Sequence, residues 1–275
     1  MKITDIKGKV TLNNGVEMPY FGLGTWKSGE GPEVKNAVHD ALDAGYRLID
    51  TATLYRNEKS IGEAVKEFGI DRKEIFLTSK VWNDDQGFEN TLKAYDHTLN
   101  LLGTDYLDLY LIHWPVTGKF LDTWKALEKI YNEGRVRAIG ISNFLPVHLE
   151  RLLREAIVVP AVNQMEFHPY LIQQPLIDRC KAMGIYYQAW SPIMLGKVFE
   201  IPLFNEIGKK YGKNEAQVVL RWDLQRDVLT IPKSVKKERI VSNANIFDFE
   251  LSNEEMSLID SLDCNTRLGY DPMLV

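Results

Sequence analysis

The sequence predicts an α/β fold: one parallel (β/α)8 TIM barrel with an N-terminal β-hairpin and an extra C-terminal helix. Three observations carry this. Short apolar runs ending in polar residues alternate eight times with helix-like segments, with no break in composition between them. The 275 residues match a single barrel domain of about 250 residues, so 1–275 is expected to be one domain. The rival architecture, a doubly wound open sheet, would carry a glycine fingerprint in its first strand–helix turn; here Gly22-x-Gly24 is followed by Lys27 where the third glycine belongs.

Taken in order, Lys9 to Met18 reads as a hairpin, with Asn14-Gly15 as a type I′ turn pair. Phe21-Gly22-Leu23-Gly24 follows as a short strand whose glycines mark a close backbone approach. Helices are expected over about 32–44, 57–68, 87–102, 121–132, 146–155, 173–182, 203–225 in two pieces, and 236–245. The third is the clearest, because Phe88, Leu92, Tyr95, Leu99 and Leu102 fall on one helical face. Strands are expected at 48–50, 75–80, 107–113, 138–142, 162–164, 185–190 and 228–232. Asp71 to Glu74 and Ser252 to Glu255 have capping-box spacing, and the second opens one more helix to about Leu262. Arg267 to Pro272 reads as a short ordered cap.

Composition narrows the function. A formal net charge of −5 disfavours nucleic acid and anionic membranes as partners, because phosphate attraction needs a basic surface. No apolar run approaches the roughly 18 residues of a membrane helix. The first ten residues lack the apolar core of a signal peptide, and two distant cysteines, Cys180 and Cys264, fit a reducing compartment. A cytoplasmic protein, monomeric and acting on a small molecule, is the expectation.

In a barrel the C-terminal strand ends and the loops after them form the active face. The polar residues there are Asp50, Lys80, His113, Ser142, Asn143, Gln164, Trp190, Ser191, Lys233 and Ser234, with Tyr55 just beyond the second strand. Asp50, Lys80 and His113 end three successive strands and so converge. A phenol has an ordinary pKa of about 10, and an adjacent ammonium favours its anion. Asp50 can keep Lys80 charged, Lys80 can lower the pKa of Tyr55, and His113 can orient a substrate oxygen. Such a group delivers a proton to a carbonyl, and it needs a hydride donor. A strand-end His or an Asp–Lys pair is individually often structural; four compatible types on adjacent ends weigh toward chemistry. At the last strand, Lys233, Ser234 and the helix residues Arg239 and Asn243 make an anion site suited to the 2′-phosphate of NADP. Ser142, Asn143 and Gln164 can bond a carboxamide, and Trp190 offers a flat face for a nicotinamide.

These motifs resemble the aldo-keto reductase superfamily over nearly the whole chain. The resemblance rests on Gly22-Leu23-Gly24-Thr25-Trp26, on Asp50-Thr51-Ala52-x-x-Tyr55-x-Asn57-Glu58, and on Lys80. It rests equally on Leu107 through His113-Trp114-Pro115, on Gly140-Ile141-Ser142-Asn143-Phe144, and on Ile231-Pro232-Lys233-Ser234. It implies a barrel that binds extended NADP(H), Tyr55 as general acid, Lys80 and Asp50 as its tuning pair, and His113 as the orienting residue. Cofactor contacts are implied at Thr25, Trp26, Asp50, Ser142, Asn143, Gln164, Trp190, Ser191, Leu195, Lys233, Ser234, Val235, Arg239 and Asn243. Substrate contacts are implied at Trp26, Tyr55, Trp82, His113 and Trp114. The nearest look is to bacterial members acting on glyoxal, methylglyoxal and 2,5-diketo-D-gluconate. Short loops after Pro115 and Trp190 and a short tail imply an open pocket for small aldehydes and dicarbonyls. Ser242 stands where many relatives have a carboxylate gripping the adenine. The competing readings are a metal-dependent hydrolase using Asp50, His113 and His168, and a non-catalytic NADP-binding regulatory subunit.

Overall fold

Strands β1 (Lys9–Thr11) and β2 (Glu17–Pro19) pair antiparallel, with Val10 opposite Met18. Val10, Leu12 and Met18 point into the core. The turn differs from the expected type I′ pair. Leu12 N bonds Val16 O at 2.9 Å, and of the loop residues only Gly15 has positive φ, at 84°. That is a three-residue loop ending in a left-handed glycine. Its asparagines are tied down instead: Asn13 Nδ2 donates to Pro160 O at 3.0 Å and Asn14 Nδ2 to Arg137 O at 2.9 Å. These anchors fasten the hairpin to the barrel and favour the wider loop.

The computed structural model describes residues 1–275. Eight parallel strands follow one another around the sheet: β3 (Leu23–Gly24), β4 (Leu48–Asp50), β5 (Phe76–Val81), β6 (Leu107–Ile112), β7 (Val136–Ser142), β8 (Val162–Glu166), β9 (Tyr186–Trp190) and β10 (Leu229–Thr230). Bridges from Phe21 to Thr230 and from Gly24 to Lys233 join the last strand to the first. The close approach read from the glycines is here. Gly24 N donates to Pro232 O at 3.1 Å, and a Cβ on Gly24 would lie 2.7 Å from Ile231 O. A side chain at that position would push the seam apart.

Helices α1 (Pro32–Asp43), α2 (Glu58–Phe68), α3 (Phe88–Leu102), α4 (Phe120–Asn132), α5 (Pro146–Leu153), α6 (Gln174–Ala182), α7 (Pro202–Tyr211), α8 (Glu215–Gln225) and α9 (Lys237–Ala244) lie between and after the strands, with α10 (Asn253–Asp260) added. The split between α7 and α8 has a local cause: Gly212 ends one at φ 65°, and Asn214 with Gln217 forms a capping box that starts the next. Ser252 and Glu255 cap α10 reciprocally, as their spacing predicts. The spacing at Asp71 behaves otherwise: its side chain accepts from Lys73 N and caps one 3-10 turn, Arg72–Glu74, because strand β5 begins immediately after. No helix is long and apolar enough to cross a membrane.

Candidate active site

Asp50 ends β4 and Lys80 lies near the end of β5, two strands that pair directly. Both side chains are enclosed, with 2% and 0% of their surface exposed. Two charges so buried persist only when fully partnered. Lys80 Nζ meets Asp50 Oδ1 at 2.5 Å and donates to Thr51 O at 2.9 Å. Asp50 Oδ2 accepts from Gln164 Nε2 at 2.7 Å, and the same amide donates to Gln188 Oε1 at 2.8 Å. Burial pushes Asp50 up and Lys80 down, toward their neutral forms, and the pairing resists both.

Tyr55 is delivered by a 3-10 turn, Thr53–Tyr55, which Arg56 terminates in the left-handed region at φ 55°. Asn57 locks the turn. Its Oδ1 accepts from Thr51 Oγ1 at 2.7 Å, and its Nδ2 donates to Thr25 O and Ser28 O at 3.0 and 3.1 Å. Thr53 Oγ1 donates to Lys80 O at 3.0 Å. The Tyr55 hydroxyl then stands 3.5 Å from Lys80 Nζ. Its ring meets His113 edge-on at 5.7 Å.

Burial, reinforced by the Asp50 charge, holds the Tyr55 phenol well above its ordinary value. This corrects the expectation of a lowered phenol. The Lys80 ammonium is committed to Asp50 at 2.5 Å and leaves the more distant tyrosine little favoured as an anion. At rest the phenol therefore carries its proton. His113 is buried, and desolvation together with the Lys80 charge keeps its imidazole well below its usual range, hence neutral. Its Nδ1 has no partner in the structure, and its carbonyl accepts from Asn143 Nδ2 at 2.9 Å. Trp82 packs edge-on to the imidazole at 5.2 Å, and Trp114 lies nearly parallel to it at 6.5 Å. Trp26 stands at the mouth, 41% exposed, with Lys27 Nζ over its ring at 4.4 Å.

The strands from β7 onward carry the other candidates. Ser142 Oγ donates to Gln164 O at 2.8 Å. Asn143 sits at φ 66°, and its Oδ1 accepts from Trp190 Nε1 at 2.9 Å. Beyond β9, Ser191 and Leu195 both adopt left-handed backbone, and Leu195 is exposed. Thr25 is enclosed, with its hydroxyl donating to Asp50 O at 2.8 Å. After β10, Lys233 is half-buried beside Gly24, Ser234 is buried, Val235 is half-buried, and Arg239 projects from α9 into solvent. Neither Lys233 nor Arg239 has a carboxylate within 4.0 Å. Burial lowers Lys233, with Lys27 adding to the effect and Glu33 opposing it. Asn243, one turn beyond Arg239 on α9, is 5% exposed. Two cations without a contacting carboxylate near the start of α9, with the Asn243 amide further along the same helix, are a donor set suited to a phosphate beside a polar ring. Ser242 turns elsewhere: its hydroxyl accepts from Asn214 Nδ2 at 3.0 Å and joins α9 to α8.

Asp50, His113 and His168 do not form a metal ligand set. Asp50 is bound by Lys80 and Gln164, and His168 Nε2 pairs with Glu166 at 3.2 Å. Three partners escaped the sequence reading: the Gln164 bond to Asp50, Gln188 behind it, and Glu166, which holds the chain's tail. Asn57, quoted only as part of a motif, proves to be the lock of the Tyr55 turn.

A family model described as "Aldo/keto reductase family" matches residues 21–264. A glyoxal reductase of Bacillus subtilis (strain 168) is 54% identical over 269 residues, 98% of each chain. The methylglyoxal reductase DkgA of Salmonella typhimurium is 43% identical over 267 residues, 96% of each chain. Among solved structures, a Gox0644 mutant in complex with NADPH superposes with a TM-score of 0.92 at 40% identity, covering 98% of both chains.

Proposed function

The chain belongs to the aldo/keto reductase family and is an NADP-dependent oxidoreductase, and we propose that it reduces small aldehydes, ketones and dicarbonyls of the glyoxal and methylglyoxal kind to alcohols. The observation that carries this is the contact chain from Asp50 through Lys80 to the Tyr55 hydroxyl, with His113 edge-on to the same phenol. The names of the relatives support the substrate class.

NADPH, when bound, supplies the hydride, and the residues suited to hold it are Lys233, Ser234, Arg239 and Asn243 at one end and Ser142, Asn143, Gln164 and Trp190 at the other. Gln164 has its amide hydrogens committed to Asp50 and Gln188, so Oε1 is the atom left to accept from a carboxamide. The substrate oxygen sits between Tyr55 and His113, within the wall made by Trp26, Trp82 and Trp114. Neutral His113 donates one N–H to that oxygen and fixes its direction. Tyr55, protonated at rest, gives up its proton as negative charge grows on the oxygen. The phenolate is costly there, because Lys80 is held closer to Asp50 than to Tyr55, so it is short-lived; Asp50 keeps the ammonium charged, and that charge, 3.5 Å away, is the one cation facing the phenolate. The phenol then regains a proton from solvent, so one carbonyl consumes one hydride and one proton. The whole chain works as one cytoplasmic catalytic domain, active as a monomer.

Mixing protein, NADPH and methylglyoxal while following cofactor absorbance tests the reading. Turnover is expected, together with activity on several small aldehydes. Activity confined to keto-sugars such as 2,5-diketo-D-gluconate would move the substrate class, and oxidation of NADPH by none of them would reject the reductase reading.

A further inference from the structure

The tail of the chain and the ring of Trp190 meet at a buried carboxylate that the mechanism does not use. Glu166 closes β8 directly opposite Trp190 of β9 and is wholly buried. Its Oε1 accepts from two successive tail amides, Leu268 N at 2.6 Å and Gly269 N at 3.0 Å, and from His168 Nε2 at 3.2 Å. Arg267 Nη1 lies 3.8 Å from Oε2, and Arg267 Nη2 donates to Gln173 Oε1 at 2.8 Å. A buried carboxylate is costly unless it is partnered; the tail supplies two of the three hydrogen bonds on Oε1, while Oε2 has no hydrogen-bond partner and only the Arg267 charge near it. Without the tail, Glu166 would keep only His168.

The docked segment touches Trp190. A Cβ on Gly269 would lie 2.5 Å from the Trp190 ring carbon Cη2 and 3.2 Å from Cζ3. Gly269 is not in the left-handed region; the close indole is what calls for glycine here. The ring is thereby fixed at two places, by Asn143 at Nε1 and by Gly269 at the far edge of its six-membered ring.

We propose that Arg267–Gly269 is a strap, anchored by Glu166, that sets the plane of Trp190 for stacking against the nicotinamide. Glu166 and Gly269 are positioning residues. The inference rests on the proposed seat of the nicotinamide at Trp190.

The test reads NADPH dissociation constants by fluorescence titration and tail docking by trypsin cleavage after Arg267. Gly269→Ala is expected to weaken NADPH by roughly tenfold, the scale of one lost aromatic stack, with Tm unchanged. In a Trp190→Ala background the same substitution has no further effect, because the ring it displaces is gone. Glu166→Gln is expected to speed cleavage at Arg267 and to weaken NADPH in parallel. Wild-type affinity in Gly269→Ala, or an equal loss in both backgrounds, overturns the strap. So does faster tail cleavage with unchanged NADPH affinity. Failure of the wild type to reduce any carbonyl while binding NADPH normally would reject the reductase reading and leave these affinity comparisons to decide the strap.

Discussion

Lys80 and Lys233 both sit at the barrel mouth, and burial lowers both, yet they are built in opposite ways. Lys80 has no exposed surface and its charge is answered within the chain, by Asp50 at 2.5 Å and the Thr51 carbonyl at 2.9 Å. Lys233 is half open and has no ion-pair partner in contact; Glu33 attracts it from further off and Lys27 repels it. The region around β4 to β6 is thus internally neutralised, while the region from β10 into α9 leaves Lys233 and Arg239 without a contacting carboxylate. A charge with an internal partner stays where it is put, which suits the handling of one proton. A charge without one marks the place for an anion from outside.

Removing each lysine breaks this contrast most directly. Lys80→Met leaves Asp50 as a lone buried carboxylate with only Gln164 to bond it, and loss of one partner of a buried pair costs about 3–5 kcal/mol. Denaturant unfolding should show that loss, and reductase turnover should fall to the background rate. Lys233→Met strands no partner, so its stability should stay within about 0.5 kcal/mol of wild type. Equal destabilisation by the two changes would erase the distinction between the regions.

Tyr55→Phe comes next. It keeps the ring against His113 and removes the proton, so kcat should fall by about 10²–10⁴ with NADPH affinity and Tm preserved. A variant with near-wild-type kcat would show that the proton comes from elsewhere. On the cofactor side, Arg239→Ala and Lys233→Met should each raise the NADPH Kd by roughly 10- to 100-fold, the range for a lost hydrogen bond to a charged group. NADH binding should barely change. An equal loss for NADH would remove the assignment of these cations to the 2′-phosphate.

Much of this arrangement is written locally in the chain. The eight strand–helix units are legible because each strand is a short apolar run ended by a polar residue, and the gap from Asp50 to Tyr55 is spanned by one self-contained turn. Gly24 announces a close approach that the barrel seam then requires, and Gly22 another, to the Leu48 side chain of the neighbouring strand. What stayed hidden depends on residues far apart in sequence. Gln164 reaches Asp50 across 114 positions, and Glu166 takes the amides of Leu268 and Gly269 more than 100 positions on. Neither has a spacing signal. The direction of the Tyr55 phenol is set by how far Lys80 is already committed to Asp50, which residue types alone do not say.

The smallest expected effect concerns pH and again separates the two regions, because the depressed imidazole belongs to the internally neutralised one. His113 is kept neutral by burial and by Lys80. Facing it are Lys80 and Tyr55, with Asp50 behind, while Trp82 and Trp114 bring no charge. In the unfolded chain this histidine takes up a proton near its ordinary value of about 6.5. Its folded value is lower, so below that pH the unfolded state binds more protons than the native state. The contribution to stability is complete above about pH 6.5 and is lost as pH falls toward the folded value, by at most about 1.4 kcal/mol per pH unit. For a chain of this size that is a Tm decline of roughly 2–4 °C per kcal/mol. His113→Asn should flatten the decline between about pH 6.5 and 5. Asp50, which burial raises, acts with the opposite sign but is common to both proteins, so the difference between their slopes isolates the histidine. Parallel Tm profiles for wild type and His113→Asn would mean that the imidazole titrates alike in the folded and unfolded states. His113 would then enter catalysis as a mixture of charge states instead of as a neutral donor.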